Sequence, residues 1–164
     1  MKEKIGVLYG GRSGEHEVSL RSGSSVVSHL DSKRFEVIPI GISKEGNWYL
    51  TDPESAQSSE PGVLQVVKHA QNEVTVQHSP QVENGGIELR FLSSGKSLRL
   101  DAIFPVIHGP LCEDGAIQGL LETTEGAFVG SGVLGSAVAM DKELTKVLCQ
   151  SAGIQVVPWK TLRL

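Results

Sequence analysis

The 164-residue sequence is poor in cysteine and aromatic residues, and it carries no excess of positive charge. Its two cysteines, Cys112 and Cys149, lack metal-ligand spacing, which argues against a zinc site or a disulfide framework. A formal net charge of -4 indicates no basic surface for nucleic acid or anionic membranes. The sequence also contains no apolar run of the roughly 20 residues that cross a bilayer, and no recognisable secretory leader. These absences predict a cytoplasmic globular protein without a metal site, a nucleic-acid partner or a membrane partner.

Strand-like and helix-like segments alternate at both ends of the chain, which is typical of an α/β sheet. A strand at residues 5–9, a helix at about 15–30 and a strand at 35–42 predict a right-handed βαβ start. After residue 101 the alternation returns, with strands at 102–107 and 127–129 and helices at about 115–124, 132–140 and from 142 onward. Asp141 is expected to cap the last helix, whose apolar face is formed by Leu144, Val147 and Leu148. The sequence therefore predicts a single domain of the α/β class with a Rossmann-like, open, mainly parallel sheet.

Residues 43–100 interrupt that alternation. Four short strands are predicted there, at residues 48–50, 73–77, 87–91 and 97–100, with turn signals at 84–86 and 94–95. This pattern predicts an antiparallel β-hairpin insertion in the sheet, and the polar stretch 52–62 is predicted to be a mobile loop. In the first helix, the apolar spacing predicts one face made of Val18, Ser22, Val26 and Leu30. The small residues at 22–25 are expected to permit close packing of this helix on the sheet.

Polar residues are concentrated directly after two of the predicted strands. His108, Glu113 and Asp114 follow the strand at 102–107, and residues 10–17 (GGRSGEHE) follow the first strand. Because ligands bind at the carboxyl ends of strands in open α/β sheets, the two turns are expected to face a shared cleft. The alternative is that each turn is an ordinary connection whose carboxylates suit the positive end of a helix dipole. The glycine spacing matches neither the dinucleotide fingerprint nor a P-loop.

Four motifs follow one another along the chain: GGRSGEHEVSL at residues 10–20, HGPLCEDG at 108–115 with Gln118 and Gly119, VGSG at 129–132, and MDK at 140–142. In sequence and in order they closely resemble the motifs of D-alanine:D-alanine ligases. The resemblance covers nearly the whole chain except roughly residues 51–100. It implies a pre-ATP-grasp domain fold and the ATP-dependent synthesis of D-alanyl-D-alanine for peptidoglycan precursors.

The resemblance also implies a chemistry and a set of site residues. In these ligases ATP phosphorylates the carboxylate of one D-alanine, and the amine of a second D-alanine attacks the acyl phosphate. Glu15 matches the family carboxylate that binds the first ammonium, and it is the expected catalytic residue. His108 and Ser19 are expected to bind substrate, and Lys142 matches a lysine directed towards the ATP phosphates. Five further residues are expected to shape the loops: His16, Gly109, Glu113, Asp114 and Gln118.

Ligases of this family are considerably longer than 164 residues. The resemblance implies that residues 1–164 are the N-terminal substrate-binding domain, with a variable insertion at about 43–100. Residues 141–164 are expected to begin the connection to an ATP-grasp domain. ATP and magnesium would bind mostly through that second region, so the chain alone is expected to be inactive. Related ligases are usually homodimers, which implies a homodimer here.

Two other functions stay open at this point. A ligase that joins D-alanine to D-lactate would share these motifs, because the choice of second substrate is expected to depend on residues beyond Leu164. The chain could also be a non-catalytic substrate-binding or dimerisation module, since the phosphate-transferring half is not in it. A Rossmann dehydrogenase is disfavoured, because the sequence lacks the dinucleotide fingerprint and an acidic residue at the end of the second strand.

Cys112 departs from the family pattern, which usually has glycine at this position. If that glycine takes a positive φ, cysteine would adopt the same conformation only at an energetic cost. The alternative, which we favour, is that the loop simply tolerates a small side chain. The remaining histidines, His29, His69 and His78, are expected at the surface.

Overall fold

A computed structural model describes residues 2–77 and 87–162. Its strands and helices, in chain order, are β1 Glu3–Gly10, α1 His16–His29, β2 Phe35–Ile42, β3 Trp48–Leu50, β4 Glu73–Gln77, β5 Ile87–Phe91, β6 Ser97–Leu100, β7 Ala102–Pro105, α2 Ala116–Thr123, α3 Val133–Met140 and α4 Lys142–Ser151. A short 3-10 helix at Ala70–Asn72 leads into β4. The predicted α/β class is confirmed, and the four strands of the insertion lie at the predicted residues.

The strands form one seven-stranded sheet in the order β6-β5-β4-β3-β2-β1-β7. β1 lies parallel to both β2 and β7, so Val7 stands opposite Pro39 on one side and Phe104 on the other. The insertion continues the same sheet beyond β2, and each of its four successive pairings is antiparallel. The result is an open mixed sheet in which the parallel part holds the two polar turns.

Two predicted strand boundaries differ from the structure. The last strand before the second polar turn, β7, ends at Pro105 rather than at residue 107. The predicted strand at 127–129 is reduced to a single parallel bridge between Ile103 and Phe128. Phe128 is therefore held to the sheet at only one residue pair. The predicted turn at 84–86 and His78 lie outside the described residues.

Helix α1 packs on the sheet through small and polar residues rather than through the predicted apolar side. Val18, which was predicted to lie on the apolar face, is 52% exposed. The buried positions of the helix are His16, Ser19, Gly23 and Ser24. A β-carbon added at Gly23 would lie only 2.7 Å from the Tyr9 β-carbon, so helix and strand approach more closely than larger residues allow. The predicted apolar face was wrong at Val18, whereas the close packing predicted for residues 22–25 is confirmed by the burial of Gly23 and Ser24.

The stretch 52–62, predicted as a mobile loop, and residues 63–65 after it pack beside α1, where the Leu64 N–H donates to the Leu20 carbonyl at 3.2 Å. Ala56 and Leu64 are fully buried and form a small apolar cluster with Tyr9. The Tyr9 hydroxyl donates a hydrogen bond to the Gln65 carbonyl at 2.9 Å. Burial raises the pKa of Tyr9, so its phenol stays protonated and keeps this donor. The segment therefore covers Tyr9 and closes one side of the core.

Ser19 joins the ends of the two strands that carry the polar turns. Its side chain is fully buried, and its oxygen accepts a hydrogen bond from the Gly10 N–H at 2.8 Å. The same hydroxyl donates to the Val106 carbonyl, which follows β7. One side chain on α1 thereby fixes the end of β1 against the end of β7. The relative position of the two turns depends on this bridge.

The C-terminal helices are covered much less than the rest of the chain. Asp141 caps α4 as predicted, because its carboxylate accepts hydrogen bonds from the N–H groups of Glu143 and Leu144 at 2.9 and 3.0 Å. The helix ends before Gly153, which has a φ of +75°. The apolar side chains predicted to form the packed face of α4 are each about half exposed, namely Leu144, Val147 and Leu148.

The described helices are short, the longest being α1 with 14 residues. Within residues 2–77 and 87–162 we find no helix with the length and apolar character required to span a bilayer.

We predict that Ser19→Ala destabilises the fold by about 1–3 kcal/mol, because it leaves the buried Gly10 N–H without an acceptor. The control is Ser28→Ala on the same helix. The Ser28 hydroxyl donates only to the Ser24 carbonyl at an exposed position, so its loss should have little effect. Urea unfolding monitored by circular dichroism measures both free energies of unfolding. Equal stability of the two variants would contradict the bridging role of Ser19.

Candidate functional site

The two polar turns meet as predicted. The Ser13 hydroxyl, in the turn after β1, donates a hydrogen bond to the His108 carbonyl in the turn after β7. Gly109 has a φ of +77°, and a β-carbon added there would lie 3.1 Å from Ser13 Oγ and 3.5 Å from Glu15 Oε1. Only glycine fits between the turns at this separation. The contact brings Glu15 and His108, predicted from distant parts of the sequence, to one edge of the sheet.

The buried side chain of His16 holds the turn after β1 in place through a hydrogen bond to its backbone. Its ring is buried, and Nδ1 lies 2.7 Å from the Gly11 carbonyl oxygen, which requires Nδ1 to be the protonated, donating nitrogen. Gly10 has a φ of +88°, and a β-carbon there would come within 2.3 Å of the Ile42 carbonyl oxygen at the end of β2. His16 thus supports the turn from inside, and Glu15, the residue before it, remains exposed.

Side chains of the second turn hold its own backbone. Glu113 Oε2 accepts from the Gly109 N–H at 2.8 Å, and Asp114 accepts from the N–H groups of Leu111 and Ala116 at 2.7 and 3.1 Å. The buried Gln118 side chain donates from Nε2 to the Cys112 carbonyl at 3.1 Å. Both carboxylates are therefore engaged by the turn, which fixes its course between β7 and α2.

The His108 imidazole has a partner at each nitrogen. Nδ1 lies 3.4 Å from Glu113 Oε1, and Nε2 lies 3.1 Å from the hydroxyl of Ser22 on α1. Ser22 was predicted to lie on the sheet-facing side of its helix, and it was not predicted to be a site residue. The available signal was its spacing from Glu15, since seven residues are close to two turns of helix and place both residues on one side.

Three carboxylates give this edge of the sheet a negative potential. Burial is the main cause that raises the pKa of the Cys112 thiol to about 11, and Asp114, Glu113 and Glu15 add to the shift. Glu113 and Asp114 are engaged by backbone N–H groups. Among the described residues, the Glu15 carboxylate has no hydrogen-bond or ion-pair partner. Glu15 is therefore the carboxylate in this group that can accept a cationic ligand without breaking an internal contact.

The expected strain at Cys112 lies instead at the residue before it. Leu111 has a φ of +67°, whereas Cys112 is not among the residues with positive φ. The left-handed backbone conformation of Leu111 costs about 1–2 kcal/mol. Its side chain is half exposed. Cys112 turns inward and packs in the main apolar core with Ile107 and Ile117. The cysteine thus acts as a small core side chain, and its replacement of glycine needs no unusual backbone.

Ser19 is fully buried. It was predicted to bind substrate, but its fully buried hydroxyl is occupied by Gly10 and Val106. The side chain has no surface from which to reach a ligand, so it positions the turns instead. Sequence alone could not separate these roles, because a serine beside a glycine-rich turn is typical of both.

Lys142 lies at the first turn of α4, close to the second polar turn. Its Nζ donates a hydrogen bond to the Ala139 carbonyl at 3.3 Å, and it shares a cavity of about 260 Å³ with Glu113, Ala139 and Met140. The cavity links the lysine to the turn that carries His108. In the described ranges no group of three or more His, Cys, Asp or Glu side chains is arranged to hold a metal ion. We therefore assign no magnesium ligand within these ranges.

Comparison with known proteins identifies relatives of this chain. The family described as D-ala D-ala ligase N-terminus matches residues 4–131. A D-alanine--D-alanine ligase A from Bradyrhizobium diazoefficiens is 48% identical over 162 residues, which is 98% of this chain and 43% of that protein. The chain thus spans less than half the length of this curated relative.

Solved structures show the same similarity in three dimensions. The D-alanine-D-alanine ligase from Coxiella burnetii superposes with a TM-score of 0.80 at 36% identity, over 98% of this chain and 45% of that one. The VanG D-Ala:D-Ser ligase from Enterococcus faecalis gives a TM-score of 0.73 at 33% identity, over 95% and 43% of the two chains. The sheet, its two polar turns and the motifs along the sequence agree with these matches, and the chain belongs to the family of D-alanine–D-alanine ligase N-terminal domains.

Proposed function

We propose that the protein containing this chain joins two D-alanine molecules in an ATP-dependent reaction, and that this chain supplies the binding site for the first D-alanine. The observation that carries the proposal is that the contact between Ser13 and the second turn brings Glu15 and His108 to one edge of the sheet. Within residues 2–77 and 87–162, no group pairs with the Glu15 carboxylate. D-Alanine is a zwitterion, so a site for it needs one group for its ammonium and one for its carboxylate. The product, D-alanyl-D-alanine, would serve peptidoglycan precursor synthesis.

The negative potential of the site favours the ammonium of the substrate. Glu15 offers an unpaired carboxylate, and a charge-assisted hydrogen bond to an ammonium is roughly twice as strong as a neutral one. The neighbouring Glu113 and Asp114 are occupied by backbone groups and contribute mainly through their charge. Fixing the ammonium at Glu15 would orient the substrate carboxylate towards the phosphorylating nucleotide, and such positioning lowers the entropic part of the barrier.

Lys142 is the residue of this chain that we propose for ATP. Its ammonium lies at the N-terminus of α4 and shares the cavity with Glu113, so a bound phosphate would be close to the first substrate. The lysine charge favours an anion at this position. The first N–H groups of α4 are already bound by the Asp141 carboxylate. ATP supplies the phosphoryl group that activates the carboxylate. We propose that magnesium and most contacts to the nucleotide come from an ATP-grasp domain, to which residues 141–164 form the connection.

The alternative functions are less well supported. The matching relatives are named D-alanine--D-alanine ligase, which favours D-alanine over D-lactate as the second substrate. The similar fold of a D-Ala:D-Ser ligase agrees with the view that the second substrate is chosen outside this domain. A purely non-catalytic module would not need an unpaired Glu15 beside an engaged His108. We propose a cytoplasmic location because the reaction consumes ATP.

We also propose that the protein forms a homodimer. Its support here is the apolar surface of the C-terminal region, where Leu134 is 78% and Val157 is 74% exposed. Such exposure within one region is typical of a surface that another polypeptide covers. The apolar side chains after α4 are exposed at Val157 and Leu162 and half-buried at Val156 and Trp159.

The function is tested with the protein expressed from its complete reading frame. We expect phosphate release that requires both ATP and D-alanine, with D-alanyl-D-alanine identified by mass spectrometry. L-Alanine should not replace D-alanine, and D-lactate offered together with D-alanine should yield no ester product. Release of phosphate without dipeptide, or preferential formation of the D-lactate ester, would refute the assignment.

We predict that Glu15→Gln weakens binding of the first D-alanine by roughly tenfold or more, because it removes the charged partner of the ammonium. Glu17→Gln is the matched control. Glu17 lies on the same turn of α1, but its carboxylate pairs with Lys44 Nζ at 2.6 Å, and that hydrogen bond is the main cause that lowers its pKa. D-Alanine titrations followed by calorimetry and steady-state kinetics measure both effects. Equal, small effects of the two substitutions would remove Glu15 from the site.

We predict that Lys142→Met raises the KM for ATP by roughly tenfold, since a phosphate loses a charged hydrogen-bond donor. Lys146→Met, one turn further along α4, is the control because the Lys146 ammonium lies over the Trp159 ring, 5.4 Å from its centre. Initial rates at varied ATP and saturating D-alanine provide the measurement. An unchanged KM in the Lys142 variant would place the phosphates elsewhere.

A further inference from the structure

Ser22 and His108 are in contact although 86 residues separate them in sequence. Ser22 lies in the middle of α1 and is half-buried, and its hydroxyl is 3.1 Å from His108 Nε2. The His108 side chain is 27% exposed, so the ring lies at the edge of the cleft rather than in open solvent. The contact connects the second polar turn directly to the helix that begins at Glu15.

The opposite ring nitrogen determines the direction of this hydrogen bond. Glu113 is held by the Gly109 N–H at Oε2, and its other oxygen, Oε1, lies 3.4 Å from His108 Nδ1. An ionised carboxylate only accepts hydrogen bonds, so Nδ1 carries the proton. In a neutral imidazole Nε2 is then the acceptor, and the Ser22 hydroxyl must donate to it. Serine and glutamate therefore favour the same tautomer from opposite sides of the ring.

We propose that Ser22 is a positioning residue of the candidate site, which fixes the rotation of the His108 ring and, together with Glu113, its Nδ1–H tautomer. The inference deepens the proposed function and rests on it for the identity of the ligand. The contact itself is independent of that identity.

The arrangement has a consequence for substrate binding. When the ring gains a second proton, at Nε2, the hydrogen bond reverses, and Nε2–H donates to Ser22 Oγ. The hydroxyl proton of Ser22 is then free to donate to another acceptor. A substrate carboxylate at the cleft edge is such an acceptor, so Ser22 transmits the charge of His108 to the ligand while the ring itself stays in place.

The tautomer of His108 can be measured directly on this chain. Long-range proton–nitrogen NMR spectra of imidazoles show which ring nitrogen carries hydrogen, and His108→Gln assigns the signal. At alkaline pH, where imidazoles are neutral, we expect the Nδ1–H form to predominate in the unmodified chain. Ser22→Ala should lower the ratio of Nδ1–H to Nε2–H by about threefold or more, the effect of losing one ordinary hydrogen bond.

Matched variants separate the hydroxyl from the shape of the side chain. Ser22→Thr keeps the donor and should keep the tautomer ratio, whereas Ser22→Val has nearly the same shape without a donor and should change it as Ser22→Ala does. Ser28→Ala, whose hydroxyl bonds only within α1, should leave the ratio unaltered. An unaltered ratio in folded Ser22→Ala and Ser22→Val would overturn the proposal, as would an equal change in Ser22→Thr and Ser22→Val.

Titration with D-alanine distinguishes this inference from the proposed function. If both hold, Ser22→Ala and Ser22→Val raise the dissociation constant for D-alanine by about threefold or more, and Ser22→Thr and Ser28→Ala do not. If D-alanine binds neither the unmodified chain nor the protein from the complete reading frame, the proposed function fails. The NMR ratios still decide whether Ser22 positions His108. Unimpaired D-alanine binding in Ser22→Ala would overturn the role of Ser22 in the site.

Discussion

The hydrogen bonds of Ser19 are the constraint on which the candidate site depends. A parallel sheet leaves the ends of neighbouring strands free to diverge, because no hairpin joins them. Ser19 holds these ends together by binding the Gly10 N–H at the end of β1 and the Val106 carbonyl after β7 through one buried hydroxyl. It adds to the backbone hydrogen bond from the Val106 N–H to the Leu8 carbonyl. The bridge is possible because Gly23, one turn later, lets α1 approach Tyr9 closely. The packing of small residues of α1 on the sheet therefore also brings the two turns of the site together.

The polar side chains of the two turns that this bridge aligns have two different roles. Most polar groups hold the backbone: His16 binds the Gly11 carbonyl, and Glu113 and Asp114 bind N–H groups of their own turn. Glu15 alone among the three site carboxylates keeps an unpaired side chain within the described part of the protein. In a site organised in this way the backbone of both turns is held by internal hydrogen bonds, which is the kind of preorganisation that reduces the entropy cost of binding.

The three carboxylates of the two turns determine the electrostatics of the site. Burial and the three carboxylates keep the Cys112 thiol protonated near neutral pH, so the cysteine that departs from the family pattern is a packing residue rather than a nucleophile. The same negative potential favours an ammonium ion at Glu15. Lys142, at the other side of Glu113, adds a positive group where an anion would lie. A carboxylate and an ammonium, those of Glu113 and Lys142, therefore line the same cavity beside the second polar turn.

The sequence by itself determined the α/β class, the strands of the insertion, the Asp141 cap and the two polar turns. These features depend on local periodicity, glycine and capping chemistry, which neighbouring residues specify. It also determined the family, because four motifs occur in order. The sheet-facing side of α1, the burial of Ser19 and the contact of Ser22 with His108 were decided only by the tertiary structure. Each depends on how closely two distant segments approach, and a one-dimensional pattern does not contain that distance.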